Sequence, residues 1–166
     1  VEDQHRILNR LKAEFSHEYS SQRVLYTPEY SAYLKIAEGC NRKCSFCSIP
    51  LIRGNYKSKP IKELKSEAGF LSRQGVKEMN IIAQDLSYYG YDIYKKYALS
   101  NLLRELANLP FHWIRLLYFY PHNFPMEVLD VIRNNDNICN YLDIPFQHIN
   151  NKVLKYMRRG INKENT

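Results

Sequence analysis

A chain of 166 residues is long enough to bury one hydrophobic core and too short for two ordinary domains. Its 45% hydrophobic and 25% charged residues give the balance of a soluble globular protein. The apolar runs are only a few residues long, which excludes a membrane span. The first residues show no signal-peptide pattern, so a cytoplasmic location is expected.

The net charge of +7 is concentrated in one segment, residues 40–77. This window holds nine Lys or Arg residues and only two acids, Glu63 and Glu67, whereas the rest of the chain is balanced. Such a patch could contact an RNA-rich partner or an anionic ligand, and it could equally be the solvated face of one helix. The same window contains three of the four cysteines.

Residues 1–27 are predicted to form a helical linker or the tail of a preceding domain. Between His5 and Phe15 the apolar side chains recur at helical spacing, and the polar run Ser16–Arg23 follows. Residues 28–166 are predicted to form the core domain.

From residue 32 onwards, short apolar strands alternate with amphipathic helices. Four strands are predicted, at Ala32–Ala37, Met79–Ala83, Trp113–Phe119 and Tyr141–Phe146. A helix is predicted after each strand, where apolar side chains recur at helical spacing, at residues 61–71, 99–109, 126–132 and 153–157. Asn150 is the expected N-cap of the last helix.

Four strand–helix units in series predict an α/β fold with a parallel sheet and right-handed crossovers. An open doubly wound sheet and part of a (β/α) barrel both fit this order. The glycine-rich turn of a dinucleotide-binding fold is missing, and a cysteine loop follows the first strand instead. The sequence therefore favours a partial parallel (β/α) barrel.

Three cysteines lie close together after the first strand, with the spacing Cys40-x3-Cys44-x2-Cys47. Their thiolates can each bind a different corner of a four-iron cluster, which leaves the fourth iron without a protein ligand. They could instead hold zinc with a distant histidine, although zinc ligands usually come in two pairs and no second pair exists here. The fourth cysteine, Cys139, stands alone and is expected to be a small, at least half-buried side chain.

The cysteine loop resembles the signature of the radical S-adenosylmethionine (SAM) enzymes. Its pattern is Cys-x3-Cys-x-Phe-Cys, with Phe46 at the position of the family's aromatic residue. The resemblance implies that the amino and carboxylate groups of SAM bind the open iron. It also implies that the reduced [4Fe–4S] cluster cleaves SAM to a 5′-deoxyadenosyl radical.

A longer set of motifs resembles the methylthiotransferases within that superfamily. Residues 37–54, followed by Ser58-Lys-Pro60, carry the first part of the likeness. Three further stretches are similar to the branch that acts on a small-subunit ribosomal protein, namely Ile82–Gly90, Tyr118–Pro121 and Tyr141–His148. The transfer-RNA branch prefers Gly-Gln-Asn at residues 83–85 and Ser-His-Pro near residue 120, and it is one alternative.

The resemblance implies insertion of a methylthio group at the β-carbon of one aspartate in the ribosomal protein. One SAM would donate the methyl group, another would generate the radical, and a flavodoxin-like or ferredoxin-like protein would supply electrons. It further implies an N-terminal domain with a second [4Fe–4S] cluster, later barrel strands and a small C-terminal domain. None of these has a counterpart in the sequence, so the chain alone is expected not to be fully active.

The resemblance also implies roles for single residues. Cys40, Cys44 and Cys47 are the expected metal ligands. The residues expected to bind the cofactor, mostly at the ends of predicted strands, are Phe46, Gln84, Asp85, Arg115 and Gln147. His148 is a weaker candidate on the substrate side.

Each expected cofactor residue has a structural alternative. Phe46 could be an ordinary core residue, and Gln84 and Asp85 could only cap a loop. Arg115 lies within an apolar strand and needs a partner, either the SAM carboxylate or an acid such as Asp143. Two other functions stay open, a non-catalytic zinc-binding nucleic-acid module and a radical SAM enzyme of another reaction class.

Overall fold

The computed structural model describes residues 25, 26 and 28–165. The helix expected between His5 and Phe15 therefore lies outside the described residues. Within the described part, no helix combines the length and the apolar character needed to cross a membrane.

Three parallel strands form the central sheet, β1 (Ser31–Lys35), β4 (Glu78–Ile82) and β5 (Trp113–Leu117), in the spatial order β1-β4-β5. The strands form because their apolar residues alternate with residues on the other face. Leu34, Ile81 and Leu116 stand side by side in register and are fully buried. The predicted α/β class with a parallel sheet is confirmed.

Two long helices and one short helix cover the sheet. They are α2 (Ile61–Arg73), α4 (Leu99–Ala107) and α5 (Glu127–Arg133). Their buried faces consist of Leu, Ala, Val and Ile side chains, together with Ser100 of α4, and α4 packs between α2 and α5. α2 and α4 bury most of the apolar residues that predicted them. In α5 the expectation that Met126 and Leu129 face inward is wrong, because both are exposed and the buried face consists of Val128, Val131 and Ile132.

A small antiparallel hairpin, three short α-helices and two 3₁₀-helices (Leu86–Tyr88 and Lys163–Asn165) complete the described elements. The hairpin joins β2 (Ala37–Glu38) to β3 (Lys57–Ser58). The short helices are α1 (Ile49–Arg53), α3 (Tyr91–Tyr94) and α6 (Asn151–Tyr156). The side chain of Asn150 accepts hydrogen bonds at the start of α6, as expected of its N-cap.

The fourth predicted strand, Tyr141–Phe146, is wrong as a regular strand. The segment before it touches β5 through one parallel bridge, between Ile114 and Ile138, and then runs as irregular backbone. One physical reason is Pro145, which has no N–H to donate to a neighbouring strand. Gln147 then has φ 74°, a left-handed conformation that ends the extended chain.

Candidate metal centre

The hairpin of β2 and β3 holds the two ends of the cysteine loop together. The backbone N–H of Cys40 donates to the carbonyl oxygen of Gly54 (3.1 Å), and that of Tyr56 donates to Oδ1 of Asn41 (3.0 Å). Gly39 begins the loop at φ 78°, where a side chain would overlap the carbonyl oxygen of Asn55 and lie 2.7 Å from that of Gly54. The conformation and the close approach both require glycine.

The three cysteines of the loop line one cavity of about 170 Å³. All three are free thiols; Cys40 is buried, whereas Cys44 and Cys47 are half-buried. The backbone N–H of Cys47 donates to the carbonyl oxygen of Cys44 (3.2 Å), so the last two cysteines lie on one tight turn. Cys139 is not among the lining residues.

Three of the five expected cofactor residues lie at the same cavity, namely Phe46, Gln84 and Gln147. Gln84 follows β4 and donates from Nε2 to a carboxylate oxygen of Glu38 (3.3 Å). Its Oε1 is buried and has no hydrogen-bond partner in the described part of the chain. An unpaired buried acceptor is costly, so this oxygen is suited to a ligand that brings a donor.

Asp85 lies one residue further on but does not line the cavity. It is 1% exposed and pairs with Nε of Arg42 at 2.9 Å. Its other oxygen accepts from the backbone N–H of Ser87 (2.9 Å). Burial raises the pKa of the Asp85 carboxyl, although Arg42 and Ser87 oppose the rise. In the structure, Asp85 is the partner of a residue that does line the cavity.

Two arginines and one tyrosine, Arg42, Arg159 and Tyr120, also line the cavity. The guanidinium groups of Arg42 and Arg159 each lie 4.2 Å from the ring centre of Tyr120. The Tyr120 hydroxyl is 3.6 Å from Sγ of Cys44. Sequence reasoning missed these three as site residues, because Arg42 was counted only in the basic window and Arg159 lies far along the chain.

The side chain of Arg115 points away from the cavity and contacts Glu78 and Tyr141. Its Nε donates to a carboxylate oxygen of Glu78 (3.0 Å), its guanidinium lies 5.6 Å from the ring centre of Tyr141, and it does not line the cavity. Its acidic partner is therefore Glu78 and not Asp143, which accepts from the backbone N–H of Tyr118 (3.1 Å).

His148 is also outside the lining. Its Nδ1 accepts from the backbone N–H of Asn150 (2.9 Å), which is a local structural contact just before α6.

The basic window does not form a single uncompensated face. Lys59 pairs with Glu67 and Lys65 with Glu105, while Arg42 turns inward to Asp85. Arg53 is 3.8 Å from the carboxylate of Glu38. Part of the charge is thus balanced locally.

The donor set fits a cluster with an organic ligand. Among the described residues, no three His, Cys, Asp or Glu side chains surround a point where one metal ion could sit. A four-iron cluster binds each thiolate at a different iron, so its ligands need not converge on one point. Burial raises the pKa of the Cys40 thiol, and a bound cation would reverse this effect. The same cavity offers an unpaired acceptor on Gln84, which suits an amino group, and two guanidinium groups, which suit a carboxylate.

Known proteins match this chain over most of its length. Residues 34–166 match the family model of the Radical SAM superfamily. The chain is 55% identical over 160 residues to the ribosomal protein uS12 methylthiotransferase RimO of Chlorobaculum tepidum, and 56% identical over 158 residues to that of Pelodictyon phaeoclathratiforme. These alignments cover 96% and 95% of this chain and 37% of each relative, so the chain spans just over a third of their length.

Two solved structures of the radical SAM methyltransferase TsrM from Kitasatospora setae share the fold. One contains tryptophan and the SAM analogue aza-SAM, and the other contains cobalamin and a [4Fe–4S] cluster. Their TM-scores are 0.62 and 0.61 at 20% identity. Each alignment covers 87% of this chain, and the two cover 26% and 27% of the respective TsrM chains. The family match decides between a cluster and zinc in favour of the cluster. This chain, with its three cysteines after the first strand of a parallel sheet, belongs to the radical SAM superfamily.

Proposed function

We propose that this chain is the radical-generating part of a methylthiotransferase that modifies ribosomal protein uS12. The observation that carries the proposal is the cavity where Cys40, Cys44 and Cys47 meet Gln84 and Gln147. These residues come from the cysteine loop, the end of β4 and the segment before α6, so the fold assembles them. The identity of 51–56% to relatives named for uS12 supports this target over the transfer-RNA branch.

The three cysteines would hold a [4Fe–4S] cluster, and SAM would occupy the adjoining part of the cavity. When bound, the reduced cluster supplies the electron for the reductive cleavage of SAM. Gln84 would orient the cofactor by accepting a hydrogen bond at its unpaired Oε1. Phe46 and Gln147 would wall the cavity.

The proposal extends to partners and location. The substrate would be uS12, on or near the ribosome in the cytoplasm, and a flavodoxin-like or ferredoxin-like protein would deliver electrons. The second [4Fe–4S] cluster implied by the methylthiotransferase resemblance stays a prediction. So does transfer of a methylthio group to the β-carbon of an aspartate.

A segment exchange tests the proposal in a complete enzyme. This chain would replace the matching 160 residues of the Chlorobaculum tepidum relative, and the anaerobically reconstituted chimera would be given SAM, sulfide, a reductant and both uS12 and transfer RNA. We expect uS12 to gain one methylthio group, detected by mass spectrometry, and a chimera carrying Cys44→Ala to give none. Cleavage of SAM without any change of uS12, together with methylthiolation of transfer RNA, would contradict the proposed target.

A further inference from the structure

Residues 156–160, from the last residue of α6 onwards, contact the cysteine loop, and we call this segment the clasp. The hydroxyl of Ser45 donates to the carbonyl oxygen of Tyr156 (2.8 Å), and the backbone N–H of Ser45 donates to that of Met157 (3.1 Å). Ser45 lies directly beside Cys44. The clasp therefore fixes the middle of the loop, far from the hairpin that closes its ends.

Arg159 is the buried residue of the clasp, with 4% of its surface exposed. Its Nη1 lies 3.4 Å from Sγ of Cys44, and its Nη2 donates to the carbonyl oxygen of Pro145 (2.5 Å). The hydroxyl of Tyr120 donates to the carbonyl oxygen of Arg159 (2.6 Å), and the Tyr120 ring lies against the guanidinium. These contacts hold the guanidinium at the sulfur of one cluster ligand.

The two arginines in the cavity differ in how their positive charges are balanced. Arg42 is paired with Asp85, so its charge is largely balanced. In the described part of the chain, no carboxylate lies within ion-pair distance of Arg159, and its Nε has no hydrogen-bond partner. A buried cation requires a counter-charge. The nearest candidate is the thiolate of Cys44.

We propose that Arg159 is a positioning residue that holds the Cys44 thiolate and raises the reduction potential of the cluster. The inference rests on the proposed function, because it requires the cluster at these cysteines. In the one-electron reduction from the 2+ to the 1+ state, the cluster gains one negative charge. A buried guanidinium that donates to a ligand sulfur stabilises the more negative state, because hydrogen bonds to the sulfurs and the local charge set the potential.

The test compares three variants of the reconstituted chain. Arg159→Gln removes the charge at the sulfur, Arg159→Lys keeps a charge on a side chain without the planar fork, and Arg158→Gln is the matched control. Arg158 is the exposed neighbour in the clasp, so its loss changes the net charge equally without touching Cys44. The readout is the midpoint potential in a dithionite titration followed by electron paramagnetic resonance, with iron content measured in parallel.

We expect the midpoint potential of Arg159→Gln to be more negative than that of the unmodified chain and of Arg158→Gln. Arg159→Lys should lie between them. An unchanged potential in an Arg159→Gln variant that retains its iron would overturn the inference. If Arg159→Gln holds no cluster, the midpoint potential of Arg159→Lys is compared with that of the unmodified chain. An unchanged potential in Arg159→Lys would then overturn the inference. Absence of any four-iron signal in the unmodified chain would instead overturn the proposed function.

Discussion

Nε of Arg42 lies 2.9 Å from the carboxylate of Asp85, and this ion pair connects the cysteine loop to the end of β4. Arg42 is two residues from Cys40, and its backbone N–H donates to Sγ of Cys40 (3.4 Å). The pair thus fixes the loop relative to the sheet. Its acidic member is almost completely buried, so its charge should affect stability in a pH-dependent way.

Asp85→Asn should remove a pH dependence of stability in the iron-free chain. Burial raises the pKa of the folded carboxyl above its unfolded value. Between these two pKa values the folded state therefore binds more protons than the unfolded state. The stability that Asp85 contributes is therefore present below the unfolded pKa and is lost as the pH rises through the folded pKa. We expect the free energy of unfolding of the unmodified chain, relative to Asp85→Asn, to fall with rising pH in the acid range. A relative rise across that range, measured by urea denaturation, would show that Arg42 outweighs burial.

Gly39→Ala should destabilise the fold and the metal site together. The positive φ alone costs about 1–2 kcal/mol, and the overlap with the carbonyl groups of Asn55 and Gly54 raises the loss to about 3 kcal/mol or more. Gly75→Ala is the control, since Gly75 has φ 91° but open space around the added carbon. Thermal melts measure the loss of stability in each variant, and iron content measures the loss of the metal site. Equal losses of stability and full iron retention in both variants would contradict the account of the loop.

Gln84→Met should weaken SAM binding without weakening the fold. The substitution removes a buried acceptor that has no partner, and it also removes the 3.3 Å hydrogen bond from Nε2 to Glu38. Because the two effects oppose each other, the stability of the unliganded chain should change little. Loss of one hydrogen bond to SAM should reduce the affinity about tenfold, measured by calorimetry on the reconstituted chain. The exposed Gln74→Met is the control. Unchanged affinity in the Gln84 variant would remove this residue from the cofactor site.

Cys44→Ala should abolish cluster binding, whereas Cys139→Ser should leave it unchanged. Two thiolates hold a four-iron cluster poorly, and Cys139 lies outside the cavity. Iron and sulfide analysis after reconstitution provides the measurement. Full iron content in Cys44→Ala, or loss of iron in Cys139→Ser, would mean that the ligand set is assigned incorrectly.

Three of the strands and the position of the cysteine loop could be predicted because their signals are local. Met79 and Ile81 belong to a short apolar run, and the cysteine spacing is contained in eight residues. The segment Tyr141–Phe146 also carries apolar residues, but pattern alone does not show that Pro145 and the backbone at Gln147 prevent regular pairing.

Contacts between distant residues could not be predicted from the sequence. Arg159 meets Cys44 across 115 residues, and no periodicity links the two positions. Arg115 is expected near the cofactor because a charge in an apolar strand needs a partner, yet the register of β4 and β5 pairs it with Asn80 and brings the diagonal neighbour Glu78 within hydrogen-bond distance. Arginine partners are decided by tertiary packing, so a charge pattern identifies the residue without its role.

Cys40, Cys44 and Cys47 are proposed to hold a four-iron cluster with one iron open to SAM. The most direct measurement is anaerobic reconstitution with iron and sulfide, followed by dithionite reduction and electron paramagnetic resonance with and without SAM. We predict a four-iron signal whose shape changes when SAM is added. A four-iron signal that SAM leaves unchanged, or a chain that binds zinc and gives no signal, would contradict the claim.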